Sequence, residues 1–387
     1  MPDTPLVHLE RHGPVGVITI DNPPVNALGP GVPEGIIACL AEANADPALT
    51  AIVLIGAGRA FIAGADIRQF GTGRVRPPIG SRSQDLLERS AKPVVAAIRG
   101  FALGGGLENA LGCHYRIATR SARIGLPEVL IGILPGGGGT QRLPRLIGPK
   151  AALEMIVSGR HLLADEAHGL GILDAVIDDG ADLQAEAIAF ATGIAAIRPL
   201  PRISTDDSKL AEAGTDPGMF DAMRQKIARR ARNQQAPYNC ILAVEAACTL
   251  PFADGLARES ALFQELENAP EAQALRYAFF AERQAARVPY VNKQTPIRRV
   301  ATAAVVGAGT MGGGIAMCFA DAGIPVRLLE ASPEAMARGM QRIRDNYATS
   351  VRRGSLTEAA MQARLALISP VADGLDAIHA AGLVHRD

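Results

Sequence analysis

Short apolar runs alternate with helical spacing along the first half of the chain. Residues 6–20 predict a hairpin, because two apolar runs flank a Gly-Pro turn. Residues 33–44 have helical spacing. Further apolar runs that read as buried strands follow at 51–55, 93–98 and 115–118. Strands that alternate with helices predict an α/β domain that runs to about residue 195.

The pattern changes after that point. Residues 198–209 are polar and contain proline, as in a linker, and residues 218–287 have helical spacing without a strand signal. An apolar strand at 299–306 then runs into a glycine-rich turn and an apolar helix, and a second strand at 325–329 follows. We therefore predict three segments, which are residues 1–195, 196–293 and 294–387.

Composition excludes several classes of protein. The 387 residues carry 39 basic and 39 acidic side chains, so no overall charge attracts nucleic acid or a membrane surface. The five cysteines are scattered and lack metal-site spacing, so we expect reduced thiols and no metal. No apolar run approaches the roughly 18 residues of a membrane span, and residues 384–387 are not a peroxisomal tripeptide. These features favour a cytoplasmic protein without membrane insertion.

Two glutamates lie beside glycine-rich backbone. Glu108 follows three glycines, 104–106, within an apolar stretch, and Glu128 stands between Pro127 and the apolar residues 129–133. Burial would raise the pKa of each carboxyl toward the value that a general acid needs. Glycine amides at the start of a helix can bind a developing negative charge. Such a pair is suited to adding water across an activated double bond, whereas two structural glutamates would each need a nearby cation, and few are present.

A second glycine run, Gly136–Gly139, resembles a phosphate-binding loop only superficially. No Gly-Lys-Ser/Thr follows it, which excludes a nucleotide-hydrolysing P-loop. We interpret the run as a tight turn at the start of a helix.

Three of these stretches, 55–67, 100–108 and 126–143, resemble the crotonase (enoyl-CoA hydratase/isomerase) superfamily in the same order. With the later segments, the chain resembles the N-terminal part of the multifunctional fatty acid β-oxidation enzymes, which join a hydratase/isomerase to a 3-hydroxyacyl-CoA dehydrogenase. The resemblance implies an α/β fold with a ClpP/crotonase-like ββα spiral domain. A helical linker that completes this domain and an incomplete Rossmann NAD-binding segment would follow.

The resemblance also implies site roles. Glu108 and Glu128 match the catalytic glutamates, and the amides of Ala65 and Gly105 match the oxyanion hole around the thioester carbonyl. The remaining expected contacts to an acyl-CoA substrate come from Ala63, Gly64, Asp66 and Ile67. Hydration of trans-2-enoyl-CoA needs no cofactor. Because a proton shift needs only one base, isomerisation of 3-enoyl to 2-enoyl thioesters stays open. Whether the chain forms an oligomer also stays open.

Two neighbouring features are less decisive. Four arginines after the oxyanion segment could attract coenzyme A phosphates or could belong to an ordinary solvated loop; they are Arg68, Arg74, Arg76 and Arg82. Asn109 replaces the apolar residue that is common in the family, and we expect it to point away from the catalytic face.

The third segment contains a dinucleotide fingerprint between a strand and a helix. Gly307 would make the turn, Gly309 would let the backbone approach a pyrophosphate, and Gly312 would permit close packing. Glu330, 23 positions after Gly307, would bind the ribose hydroxyls and favours NAD over NADP. Thr310 and Met311 complete the expected NAD contacts.

The sequence ends at Asp387, before the stretch from which the family's dehydrogenase takes its catalytic residues. Only the order strand, helix, strand, helix is expected, so we predict no competent dehydrogenase site, and NAD binding stays open. The alternatives to an active hydratase are a non-catalytic acyl-CoA-binding remnant and a whole NAD-dependent dehydrogenase.

Overall fold

The computed structural model describes residues 5–71, 77–229, 231, 233–289, 291–292, 294–296 and 298–371. The chain forms two compact units that divide between Arg287 and Val288. In the described part, no helix has both the length and the apolar character needed to cross a bilayer.

The first unit contains two sheets. Its strands are β1 (Val7–His12), β2 (Val15–Ile20), β3 (Ala51–Gly56), β4 (Val94–Ile98), β5 (Phe101–Leu103), β6 (Tyr115–Thr119), β7 (Arg123–Gly125), β8 (Leu162–Leu163) and β9 (Ala175–Ile177). The larger sheet has the order β1-β2-β3-β4-β6-β9, and its pairs are parallel except for the predicted hairpin β1-β2. The smaller sheet has the order β5-β7-β8.

Twelve helices of the first unit lie in its described residues. They are α1 (Val32–Ala45), α2 (Ser83–Glu88), α3 (Gly105–Gly112), α4 (Gly139–Ile147), α5 (Pro149–Ser158), α6 (Ala164–Gly169), α7 (Leu183–Ile194), α8 (Ala211–Thr215), α9 (Met219–Ile227), α10 (Ala236–Thr249), α11 (Phe252–Glu267) and α12 (Pro270–Ala285).

The larger sheet is buried on both faces, which explains its unbroken apolar strands. Successive side chains of β3 enter different cores: Ile52 and Leu54 join the main core, whereas Val53 packs with Leu183 and Ala187 of α7 on the other face. Because alternate side chains of a strand point to opposite faces of the sheet, one apolar stretch contributes to two cores.

The helical middle segment belongs to the same compact unit as the sheets. Helix α10 packs against α4 and α5, and α11 packs against α4. Cys240 of α10 and Phe263 of α11 are buried in the main core. These late helices thus support α4, whose first residues border the site described below.

The second unit has a three-stranded parallel sheet of order β10-β11-β12. Its elements are β10 (Ala303–Val306), α13 (Thr310–Asp321), β11 (Val326–Leu329), α14 (Pro333–Arg352), α15 (Glu358–Ala366) and β12 (Ile368–Val371). The expectation of only two strands was wrong. Strand β12 is short and contains Pro370, which is tolerated at a sheet edge but weakens the sequence signal for a strand.

Candidate active site

One cavity of the first unit, about 580 Å³ in volume, brings the predicted hydratase residues together. The residues from the prediction that line it are Ala63, Gly64, Ala65, Asp66, Ile67, Gly105, Glu108 and Glu128. They come from three separate parts of the chain, which are the loop after β3, the start of α3 and the turn after β7.

Glu108 lies in the first turn of α3 and is only 5% exposed. Its Oε1 accepts hydrogen bonds from the amide of Gly137 at 2.6 Å and from the amide of Gly139 at 2.9 Å. The run Gly136–Gly139 is thus a turn that leads into α4, and its amides bind a carboxylate of the protein. Two amide donors stabilise the ionised form of a carboxyl.

Glu128 is the first residue of a 3-10 turn, Glu128–Ile131, which follows β7. Its Oε2 is buried and has no hydrogen-bond partner within the described residues. Burial, and then the charge of Glu108, raise the pKa of Glu128 well above its usual value. The two glutamates therefore differ: one is held by amides, and the other is desolvated and favours its protonated form.

Glycine is required where the chain passes Glu128. Gly104 has a φ of 52°, and a Cβ at this position would lie 2.7 Å from Glu128 Oε1. A larger residue would be strained and would push the carboxylate aside.

The amides of Ala65 and Gly105 lie close together at the wall of the cavity. A Cβ on Gly105 would lie 3.7 Å from Ala65 N and 3.9 Å from Glu108 Oε2. Gly105 is the first residue of α3, so its N–H has no acceptor within its own helix. The Ala65 segment is fixed by a parallel bridge to Leu28, whose amide donates to Gly64 O at 2.9 Å. This geometry can bind an oxyanion a few ångströms from a carboxylate.

Polar residues that the sequence reasoning missed surround Glu108. Asn109 is buried and lines the same cavity, so the expectation that it points away was wrong. Ser83 Oγ donates to Asn109 Oδ1 at 2.7 Å, and Gln84 Nε2 donates to Gly137 O at 2.9 Å. Helix α3 is buried from Gly106 to Gly112, so it has no solvent side to which Asn109 could turn.

The arginines that follow the oxyanion segment have separate surroundings. Arg68 is exposed and forms an ion pair with Asp66 at 2.9 Å. Arg82 lines the cavity and donates to Gly136 O at 3.0 Å. Arg74 and Arg76 lie outside the described residues.

The dinucleotide fingerprint is a feature of the second unit alone. Gly307 has a φ of 93°, and a Cβ on Gly312 would lie 1.8 Å from Gly307 O, so the turn needs both glycines. A Cβ on Gly309 would meet nothing within 4 Å. Glu330, directly after β11, accepts a hydrogen bond from Ala308 N at 2.7 Å.

Two further predicted contacts flank this turn. Thr310 Oγ1 accepts a hydrogen bond from Arg342 at 2.9 Å, and Met311 is 79% exposed. Open space at Gly309, the start of α13 and a carboxylate at the end of β11 fit the pyrophosphate and ribose of a dinucleotide. No group of three or more potential metal ligands occurs in the described part of the chain.

A spiral of parallel strands with paired glutamates beside helix-start amides defines the crotonase class of α/β proteins. The chain belongs to the enoyl-CoA hydratase/isomerase family, whose model matches residues 10–209. Residues 302–385 match the NAD binding domain of 3-hydroxyacyl-CoA dehydrogenase.

Individual relatives agree with this assignment. The peroxisomal bifunctional enzyme of Cavia porcellus is 45% identical over 83% of this chain and 45% of its own length. The peroxisomal fatty acid beta-oxidation multifunctional protein of Oryza sativa subsp. japonica is 37% identical over 94% of this chain and 51% of its own. The chain thus spans about half the length of the curated relatives it matches.

A solved structure is also similar. Carnitinyl-CoA hydratase from Mycobacterium avium has a TM-score of 0.53 and 31% identity, and the match covers 73% of this chain and all of that one.

The relatives overturn the predicted cytoplasmic location, because they are named as peroxisomal or glyoxysomal proteins. Scattered cysteines and neutral charge fit more than one compartment, so composition could not distinguish them.

Proposed function

We propose that the first unit hydrates trans-2-enoyl-CoA to 3-hydroxyacyl-CoA, as a step of fatty acid β-oxidation. The observation that carries this proposal is the pairing in one cavity of an amide-bound glutamate and a desolvated glutamate, beside two amides suited to an oxyanion. Family membership supports the same reaction class.

In this mechanism the amides of Ala65 and Gly105 bind the thioester carbonyl oxygen and draw electron density from C3. Charge that develops on that oxygen is stabilised by about 3–4 kcal/mol per donor in sites of this kind. The rest of the coenzyme A thioester would contact the backbone of four residues that line the cavity, Ala63, Gly64, Asp66 and Ile67.

The different surroundings of the glutamates assign their roles. Glu108, held by two amides, is the base that takes a proton from water as the hydroxyl adds to C3. Glu128, whose pKa is raised by burial, is the acid that gives its proton to C2. One water is added in total, and before the next cycle Glu108 must release the proton that it took from water and Glu128 must regain the proton that it gave to C2.

Isomerisation of 3-enoyl to 2-enoyl thioesters is a second candidate. It is favoured by Glu128 Oε2, which is buried and lacks a hydrogen-bond partner within the described residues. Such an oxygen can carry a proton from C4 to C2 without help from water.

Loss of the 2-enoyl-CoA absorbance on addition of the purified chain tests hydration. The control is Glu265→Gln, since Glu265 is exposed on α11 and lies outside the cavity. If the wild type and the control remove the absorbance at equal rates, the result supports the proposal. If the wild type causes no absorbance change, the proposal is refuted. A 3-enoyl-CoA substrate in the same assay tests isomerisation.

We also propose that the second unit would hold NAD, with the backbone of Gly309 at the pyrophosphate, Gly307 and Gly312 forming the turn that allows this approach, and Glu330 at the ribose. Thr310 and Met311 would lie beside the bound dinucleotide. NAD supplies a hydride acceptor when bound, and the match to an NAD binding domain supports its placement here.

A further inference from the structure

A third carboxylate is buried behind the loop that binds Glu108. Glu259 of α11 is fully inaccessible to solvent. Its Oε1 accepts a hydrogen bond from Gly138 N at 2.8 Å, and its Oε2 accepts from Thr140 N at 3.1 Å and from Thr140 Oγ1 at 2.6 Å. Its partners are about 120 positions earlier in the chain, so nothing near Glu259 in sequence signals the contact.

The amides of four consecutive residues, 137–140, thus alternate between two carboxylates. The amides of residues 137 and 139 donate to Glu108, and those of 138 and 140 donate to Glu259. We call residues 136–140 the glutamate loop. Since neighbouring peptide units share their backbone atoms, a shift of one pair of amides also shifts the other pair.

Side chains also bind two carbonyl oxygens of the loop. Gly136 O accepts from Arg82 at 3.0 Å, and Gly137 O accepts from Gln84 at 2.9 Å. Gly137 O and Gly138 N belong to one planar peptide unit and point in opposite directions, so Gln84 and Glu259 hold this unit from its two sides.

A carboxylate is a costly way to fill this position. Burial, followed by the charge of Glu108, raises the pKa of Glu259 to about 8. A glutamine of similar size would never be ionised, but it would offer one acceptor oxygen instead of two to the three donors.

We propose that Glu259 is a positioning residue for hydration, which sets the glutamate loop so that its amides hold Glu108 in its reactive orientation. This inference rests on the proposed hydratase activity. Glu259 itself contacts the loop and does not line the cavity.

The test compares Glu259→Gln with Glu265→Gln on the same helix. In the first variant an NH₂ group must face at least one of the loop's N–H donors, so the loop should shift. We expect kcat to fall by about 100-fold with KM within about twofold of the wild type, because displacement of a reacting group by about 1 Å has this effect. The Glu265→Gln enzyme should match the wild type.

A purely structural role would lower the melting temperature but leave kcat per folded molecule unchanged. An unchanged kcat in folded Glu259→Gln would therefore overturn the proposal. If that variant does not fold, Thr140→Val keeps the Thr140 amide but removes the hydroxyl, which donates to Glu259 and accepts from Gln141 Nε2, and should lower kcat by about fivefold. Wild-type kcat in folded Thr140→Val would also overturn it.

Amide hydrogen exchange gives a readout that does not depend on activity. Residues 137–140 should exchange faster in Glu259→Gln than in Glu265→Gln, whereas equal exchange would contradict the inference. If residues 137–140 exchange faster in Glu259→Gln than in Glu265→Gln but the wild type shows no hydration, the proposed function fails while the anchoring of the loop by Glu259 is still established.

Discussion

Both units contain a glycine-rich loop that leads into a helix, yet the two loops face different surroundings. In the glutamate loop the amides of residues 137–140 are bound by carboxylates of the protein itself. In the loop 307–312, which we call the dinucleotide loop, Gly309 faces open space. Glycine thus permits close packing against side chains in the first loop, whereas in the second loop Gly312 permits close packing against Gly307 O and Gly309 leaves open space.

The comparison shows that a glycine run at a helix start does not identify its ligand. The groups that lie opposite the amides decide whether such a loop binds a carboxylate of the protein or has space for a phosphate. Those groups come from distant parts of the chain in both units, namely Glu108 and Glu259 in the first and Glu330 in the second.

The largest expected effect on the hydration rate comes from replacing Glu108, whose carboxylate is bound by amides of the glutamate loop. Glu108→Gln preserves shape but removes the base, so hydration should fall by about 10²–10⁴-fold, the usual contribution of a general base. The absorbance assay with 2-enoyl-CoA measures this loss. NAD binding, measured by calorimetry, should stay unchanged. Wild-type hydration in this variant would refute the assigned role.

A methyl group on the glutamate loop should have the next largest effect. A Cβ on Gly137 would lie 2.6 Å from Glu108 Oε2 and 2.8 Å from Gln84 Nε2. Gly137→Ala should therefore displace Glu108 and lower kcat by about 100-fold. The matched control, Gly309→Ala, should leave hydration unaltered. Equal hydration by the two variants would remove the distinction between the loops.

The sequence predicted those features that can be recognised from a residue's immediate neighbours in the chain. The strands β3 and β4 were found because parallel strands that are buried on both faces read as apolar runs. Glu108 and Glu128 stood out through their adjacent glycine and apolar residues, and the structure places both at one cavity.

The contacts of Glu259, the orientation of Asn109 and the short strand β12 were missed, each for a physical reason. Glu259 lies on an amphipathic helix like any other glutamate, and its partners are about 120 positions away. Asn109 was misplaced because a helix rule that assumes one solvated face fails for the fully buried part of α3. Strand β12 has only four residues, one of them proline.

The pH dependence should separate carboxylates in the two units. Burial and the charge of Glu108 raise the pKa of Glu128, so the protonated acid persists to higher pH than an ordinary carboxyl, and hydration should fall by about tenfold per pH unit above that pKa. The amides of Ala331 and Ala308 lower the pKa of Glu330, which therefore stays ionised over the same range. NAD affinity should be flat there. Rate profiles and NAD titrations at matched pH values measure both, and an alkaline rise in hydration would contradict the acid role of Glu128.

The smallest effect is expected from Gly309→Ala, and it tests the open side of the comparison. Gly309 has a φ of −67°, which alanine adopts without strain, and the added methyl would meet nothing within 4 Å. The melting temperature should therefore stay the same. A methyl that faces an approaching pyrophosphate would still keep it from the backbone, so NAD should bind about fivefold more weakly, equivalent to about 1 kcal/mol. Calorimetric titration with NAD measures this change. Unaltered affinity would mean that the open space at Gly309 is not where the dinucleotide approaches, whereas a large loss of stability would mean that the loop is as tightly packed as the glutamate loop.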